Sequence, residues 1–324
     1  MACLGVESTA HTFGVGIATD KGKVLANVLD TYKAPEGWGI EPLKAAKHHE
    51  DVAECLLQKA LKEANLDLSE IDLIAYSQGP GLPPCLHKGL GFCRKLSKDL
   101  KVPMVGVNHC CAHIEIGKLF TKAKDPVTLY VSGANTQVIA FVGGKYRIFG
   151  ETQDIGIGNA LDKLGRDLGI GFPAGPKVEQ LAKKGKWIEL PYVVKGMDLS
   201  FSGIVSEAAR RVKKGASRED VCFSFQESAF AMLTEVTERA MAHTGKKEVL
   251  LTGGVAANQR LREMLDIMAR ERGAKSYVCP KEYCGDNGSM IAWLGVLMHK
   301  AGAKEKEHGI KPRQRTDEVE VTWQ

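Results

Sequence analysis

A strand–turn–strand–turn–strand pattern occurs twice in this chain, and it limits the possible folds more than any other feature. Near the start, Cys3 to Val6 is apolar, Glu7-Ser8-Thr9-Ala10-His11-Thr12 is a polar turn, and Phe13 to Ala18 is a strand. Asp20-Lys21-Gly22 is a second turn, and Val24 to Leu29 is a third strand. The same order returns as Thr128 to Val131, Ser132-Gly133-Ala134-Asn135, Thr136 to Val142, Gly143-Gly144-Lys145 and Tyr146 to Phe149. Turn residues between short β-prone runs read as antiparallel meanders, and a repeated meander implies a duplicated domain. Each polar first turn would point its backbone N–H groups toward a shared cleft.

Helical and strand patterns follow each meander. Pro42 to Ala64 has apolar residues at helical spacing, Asp72 to Tyr76 is a buried strand, Leu86 to Leu100 is a helix, and Val102 to Val107 is a strand running into His109. In the second half, Ile157 to Leu168, Pro176 to Lys184, Ser202 to Lys213, Val221 to Thr244 and Asn258 to Arg272 read as helices, with Glu248 to Thr252 as a strand. Ser289 to Lys300 closes the fold as a helix, and Glu318 to Trp323 reads as a strand. The charged stretch Ala303 to Arg315 is expected to pack loosely. With 324 residues, of which 44% are hydrophobic, the chain is long enough for two cores. Residues 1–124 plus about 290–324 are assigned to the first domain and 125–289 to the second, with the boundary at Lys122 to Pro126.

The totals narrow the setting. No apolar run is long enough to cross a bilayer, and the N-terminal residues read as part of the fold rather than as a secretory signal. The nine cysteines are irregularly spaced with no CxxC pair, as in a cytoplasmic protein with reduced thiols. A net charge of +5 permits a nucleic-acid partner without requiring one. Three basic clusters (Arg94/Lys95/Lys98/Lys101, Arg210/Arg211/Lys213/Lys214 and Lys311/Arg313/Arg315) each read singly as solvated faces, and together they suit a large polyanion.

Chemistry concentrates in a few places. His109 and His113 lie four residues apart in Asn-His-Cys-Cys-Ala-His, which on a helix puts both imidazoles on one face, roughly 40° apart. A lone pair of this kind equally suits helix packing. The zinc-protease motif needs a glutamate after the first histidine, and here that position is Cys110. Asp286 precedes the closing helix and reads either as its N-cap or as a carboxylate ligand completing a two-histidine, one-carboxylate set. The turns at Gly253-Gly254 and at Gly171 to Gly175 each precede a helix, placing free N–H groups where a phosphate or nucleoside could sit.

At this point the chain resembles a known family. Val107-Asn108-His109-Cys110-Cys111-Ala112-His113 is similar to the metal motif of the universal tRNA threonylcarbamoyltransferases, in particular the archaeal and eukaryotic catalytic subunits of the KEOPS complex. Collinear runs extend the resemblance over nearly the whole chain: GVESTAHTFGVGI, SQGPGL, YVSGANTQV, DIGIGNALDKLGRDLGIGFPAGPKVE, MDLSFSG, SFQE, TGGVAANQRLREML, GDNGSMIA and RTDEVEVTW. The resemblance implies an α/β fold of two duplicated actin-like ATPase (ASKHA) domains around a central cleft. It also implies one Fe2+ or Zn2+ held by His109, His113, Tyr130 and Asp286, with His109, His113 and Asp286 catalytic. Tyr130, Val131, Ser132, Gly133, Ala134, Asp162, Gly175, Glu179 and Asn258 are implied as contacts to an ATP-derived adenylate.

The implied activity is transfer of threonylcarbamoyl from its adenylate to N6 of the adenine 3′ of the anticodon. The implied partners are tRNA, a small kinase-like ATPase, a dimerising subunit, an accessory subunit and a separate adenylate-forming enzyme, in the cytoplasm and without membrane association. Three departures from the family pattern stand out. Ala134 and Ala174 replace usual glycines, and Pro83-Pro84-Cys85 replaces a glycine-rich segment. Alanine at a position requiring positive φ would be strained by roughly 1 kcal/mol or more. The alternatives are an ATPase or phosphotransferase of the same fold, and a non-catalytic nucleotide-binding scaffold.

Overall fold

The computed structural model describes residues 1–34, 39–303 and 308–324. Contacts divide the chain into two compact units, Met1–Leu119 with Asp286–Gln324, and Phe120–Gly285.

In the first unit the expected meander is β1 (Ala2–Glu7), β2 (Thr12–Thr19) and β3 (Val24–Thr31). After α1 (Pro42–Ala64), the strand β4 (Leu73–Gly79) pairs parallel to β1. Helix α2 (Pro83–Leu100) then leads to β5 (Met104–Asn108), parallel to β4, giving the order β3-β2-β1-β4-β5. Helix α2 starts three residues before the expected Leu86, because Pro83 and Pro84 occupy its first turn. Proline fits there: its fixed φ suits the helix, and its missing N–H would have no intrahelical partner.

The second unit repeats the plan. It contains β6 (Val127–Val131), β7 (Thr136–Val142) and β8 (Lys145–Glu151), then α4 (Ile157–Asp167), α5 (Gly175–Ala182) and the short ribbon β9 (Val194–Lys195) and β10 (Asp198–Leu199). It continues with α6 (Ser202–Lys213), α7 (Arg218–Thr244), β11 (Glu248–Thr252), α8 (Gln259–Glu271), β12 (Lys275–Val278) and α9 (Lys281–Cys284). The sheet order β12-β11-β6-β7-β8, read backwards, matches that of the first unit strand for strand. Helix α3 (His109–Thr121) follows β5, and α10 (Gly288–Lys300) returns the chain to the first unit.

Both faces of the first sheet are covered, which explains why β1, β2, β4 and β5 are apolar along most of their length. Leu4 and Val6 pack with Leu56, Leu57 and Ala60 of α1 and Leu90 and Cys93 of α2. Alternation then turns Gly5 to the opposite face, where α10 lies directly on the strands. Gly5 and Gly16 are partners across β1 and β2. A Cβ at Gly5 would lie 2.2 Å from the Ala292 backbone N, and one at Gly16 would lie 2.1 Å from the Ser289 backbone N. Glycine is required here for helix–sheet approach. The nine cysteines are all free, and all but Cys55 are buried. No helix among the described residues is long and apolar enough to cross a membrane.

The tail departs from expectation. Glu318 to Trp323 forms no strand, and Thr316–Glu318 is a 3-10 turn. Of the charged stretch Ala303 to Arg315, residues 304–307 lie outside the described residues, and 308–315 is held in place rather than loose. Tyr76 donates its hydroxyl to the Gly309 carbonyl at 3.0 Å, Arg94 donates to the His308 carbonyl, and Asn108 donates to Gln314 at 3.2 Å.

Gly16→Ala should lower the unfolding free energy by about 2 kcal/mol or more in denaturant titration, since backbone cannot yield to the new methyl. Gly203→Ala, where a Cβ meets nothing within 4 Å, should stay within about 1 kcal/mol of neutral, on the stabilising side.

Candidate metal centre

Two strand ends and a helix start of the first unit meet at one edge, and the candidate site is built there. Glu7 ends β1, Asn108 ends β5, and His109 opens α3 immediately afterwards. Asn108 uses its side-chain oxygen to accept the Cys111 N–H at 3.1 Å, satisfying an otherwise unpaired donor of the first helical turn. The four-residue spacing then brings the rings of His109 and His113 to 4.7 Å between centroids, at 80°.

Asp286 joins them from the other end of the chain. It is not the cap of α10: Asn287 takes that role by accepting the Met290 N–H at 2.9 Å. Asp286 is thereby left to approach the imidazoles. Its Oδ1 lies 3.3 Å from His113 Nε2 and 3.5 Å from His109 Nε2. One donor atom from each of the three residues falls within 4.8 Å of the others. Ligands held at about 2.1 Å around a tetrahedral cation stand about 3.4 Å apart, so both separations are compatible with a ligand set around one ion. Both histidines are buried, and Asp286 is partly exposed.

In the sequence Glu7 is simply a carboxylate in the first polar turn, and the structure gives it a specific role. His109 Nδ1 donates to Glu7 Oε2 at 2.8 Å, which turns Nε2 toward Asp286. The other carboxylate oxygen accepts from the Thr9 N–H at 2.6 Å and the Thr9 hydroxyl at 2.5 Å. A carboxylate behind a ligating histidine fixes its tautomer and orientation. Burial opposes charge on His109, but Glu7 and Asp286 outweigh it and raise its pKa to about 9. Burial lowers the pKa of His113 and favours its neutral, metal-binding form. Burial also resists ionisation of Asp286, yet the flanking His109 and His113 hold it well below the usual carboxylate range.

The expected substrate contacts lie in the second unit, at the carboxyl end of its parallel strands. Thr252 of β11 pairs with Tyr130 of β6, so the segments after both strands emerge together. Tyr130 and Val131 are buried at the end of β6. Ser132 donates its N–H to the Asn135 carbonyl at 2.8 Å, closing the turn that exposes Gly133 and Ala134. Gly158 and Asn159 of α4 donate their N–H groups to the Ser132 and Gly133 carbonyls at 3.1 and 2.9 Å. Asp162 accepts the Ala174 N–H at 2.8 Å, fixing the turn before Gly175 and α5. Glu179 accepts the Gln259 N–H at 2.9 Å. Asn258 caps α8 through the Leu261 N–H and donates to Gln226 at 3.0 Å. Gln226 lies in the SFQE run, whose resemblance carried no role for it.

The two alanine departures are unstrained. Ala174 has φ −90° and ψ −27°, and Ala134 is absent from the non-glycine residues with positive φ, which among the described residues are Asn65, Lys101 and Lys122.

Comparison with known proteins decides the family. The family profile for tRNA N6-adenosine threonylcarbamoyltransferase (TsaD) matches residues 23–293. The chain belongs to this family. It is 58% identical over 327 residues to the tRNA N6-adenosine threonylcarbamoyltransferase of Thermococcus kodakarensis, with 100% of both chains covered. It is 56% identical to a probable bifunctional tRNA threonylcarbamoyladenosine biosynthesis protein of Methanocaldococcus jannaschii, over 100% of this chain and 60% of that one. Among solved structures, HypF from T. kodakarensis superposes with a TM-score of 0.63 at 16% identity, over 92% of this chain and 48% of that one. A ROK-family glucokinase from Streptomyces griseus gives 0.52 at 12% identity, over 91% and 99%. These likenesses support the actin-like ATPase fold of this family member.

The raised pKa of His109 sets the direction of two pH effects. In the metal-free protein, the stabilisation from the charged imidazole is fully present below pH 6.5 and is lost as pH rises through about 9. Zn2+ affinity, measured by chelator competition, should rise by up to about tenfold per pH unit over that window, because binding displaces the proton. Glu7→Gln should weaken Zn2+ binding by about 10- to 100-fold.

Proposed function

We propose that this chain transfers threonylcarbamoyl from threonylcarbamoyl-adenylate to N6 of the tRNA adenosine 3′ of the anticodon, with one Fe2+ or Zn2+ held by His109, His113 and Asp286. The convergence of these three side chains, carried on two distant segments of a chain that matches its relative over 100% of both, is the observation that supports it. In the reaction the N6–carbonyl bond forms as the carbonyl–oxygen bond of the mixed anhydride breaks, and AMP leaves.

The anhydride is already activated, so no protein nucleophile is needed. The chain must hold it, orient it and present the amine. A bound divalent cation would supply Lewis-acid polarisation of a substrate oxygen. Glu7 holds the His109 Nδ1 proton, so a cation would displace the proton at Nε2, and burial favours the neutral form of His113. The reading gives Tyr130 the part of a further ligand, on the family resemblance. It gives Val131 to Ala134, Asp162, Gly175, Glu179 and Asn258 the adenylate, on their grouping at the strand ends of the second unit. Exposed Gly133 and Ala134 leave their turn open to a ligand. The proposed partners are a small kinase-like ATPase, a dimerising subunit, an accessory subunit and an adenylate-forming enzyme, in the cytoplasm.

The phosphotransferase alternative needs a first-turn carboxylate free to organise Mg2+. Glu7 is fully buried and engaged by Thr9 and His109, which disfavours it.

Reconstitution with tRNA, threonine, bicarbonate, ATP, the adenylate-forming enzyme and the partner subunits should yield the modified nucleoside by mass spectrometry. His109→Ala, His113→Ala and Asp286→Asn should each lose bound metal and lower transfer by more than about 100-fold. Undiminished transfer by a metal-free His109/His113 double variant would refute the proposal.

A further inference from the structure

The tail turn 311–314 is more rigidly built than a surface loop needs to be. Lys311 donates its N–H to the Gln78 carbonyl at 2.7 Å, Gly81 donates to the Pro312 carbonyl at 3.1 Å, and Gln314 donates back to the Lys311 carbonyl at 3.0 Å. Pro312 occupies the second position of this turn, where its fixed φ is favourable. The 79–81 loop meets it backbone against backbone: a Cβ on Gly79 would lie 1.9 Å from the Lys311 carbonyl oxygen.

The same loop is fastened to the metal centre. Leu82 donates its N–H to the Thr9 carbonyl at 2.7 Å, and Thr9 donates to Glu7, which holds His109. On the other side, Gln314 accepts from Asn108, the residue before His109. The tail turn is therefore fixed with respect to the cation ligands within one unit.

The side chains on this turn are charged and available. Lys311 and Arg313 are exposed and form no ion pair among the described residues. By contrast, Arg315 pairs with Asp317 at 3.1 Å, and Arg210 and Arg211 both pair with Glu207. Lys311 and Arg313 line an open groove of about 680 Å³ with Pro83, Pro312, Gln314 and Glu318. The one carboxylate there, Glu318, is engaged by the Arg315 N–H at 3.0 Å.

We propose that the Lys311–Gln314 turn is a preformed cradle for backbone phosphates of the RNA substrate. This rests on the transferase reading and names the surface that would hold the RNA beside the cation ligands. Two exposed cations without ion pairs, carried on a backbone held by hydrogen bonds to the 79–81 loop, are placed to contact a phosphodiester chain.

The test is tRNA binding by the full-length chain, measured between about 50 and 200 mM salt. Lys311→Gln/Arg313→Gln should weaken binding at about 50 mM salt by at least about tenfold, and should flatten the slope of log K against log salt by about 0.7 to 0.9 for each phosphate no longer neutralised. Bound metal should be unchanged, and Arg313→Lys alone should keep most of the slope. The control Arg210→Gln/Arg211→Gln should change the slope less. An unchanged slope in the Lys311/Arg313 variant, with the parent chain binding and modifying tRNA, would overturn the cradle and leave the transferase reading intact. An equal weakening in the control would overturn it too. A parent chain that neither binds nor modifies tRNA in the reconstituted system would overturn both.

Discussion

The site depends on the hydrogen bond between Glu7 and His109, in which a buried carboxylate meets a buried imidazole at 2.8 Å. A carboxylate with no solvent exposure is tolerated only when its oxygens are well bonded. The Thr9 N–H and hydroxyl occupy one oxygen, and His109 occupies the other. The polar turn after β1 and the first residue of α3 therefore require each other. Parallel pairing of β1, β4 and β5 is what brings their ends to one edge. Removing either partner would leave a buried polar atom of the other without its closest bond, which couples the candidate cation site to that sheet edge.

Duplication gave the chain two copies of the same sheet edge, and they now differ. In the first unit the turn after β1 carries Glu7 and Thr9 and serves the histidine pair. In the second unit the turn after β6 is Ser132 to Asn135, closed on itself and open to solvent at Gly133 and Ala134. The first edge suits a cation, and the second suits a ligand that hydrogen-bonds to backbone. The tail returning over the first unit adds a basic turn locked to the 79–81 loop.

Both meanders were legible because their apolar runs are short and their turns carry strong signals, such as Asp20-Lys21-Gly22 and Gly143-Gly144. Helix α1 was legible from apolar spacing with Pro42 at its first position. The histidine spacing left packing and metal binding both open, and Asp286 could be read as a cap or as a ligand, so the family resemblance rather than the spacing named all three. Asp286 and Asn287 are both good caps, and only coordinates show that Asn287 does the capping. The Glu7–His109 hydrogen bond spans 102 residues, beyond any local pattern. The tail misled for a related reason. Its charge suggested loose packing, while the bonds that hold it are made by backbone groups that composition does not reveal. The alanine departures could be judged only once φ was known.

Two imidazoles and one carboxylate are the proposed ligands of a single cation, and the adjacent thiols are not. X-ray absorption fine structure on the Zn2+-loaded protein tests it most directly. The account predicts nitrogen and oxygen neighbours at about 2.0–2.2 Å with imidazole scattering, and a changed first shell in Asp286→Asn. A sulfur neighbour at about 2.3 Å, from Cys110 or Cys111, or a first shell indifferent to Asp286, would contradict it.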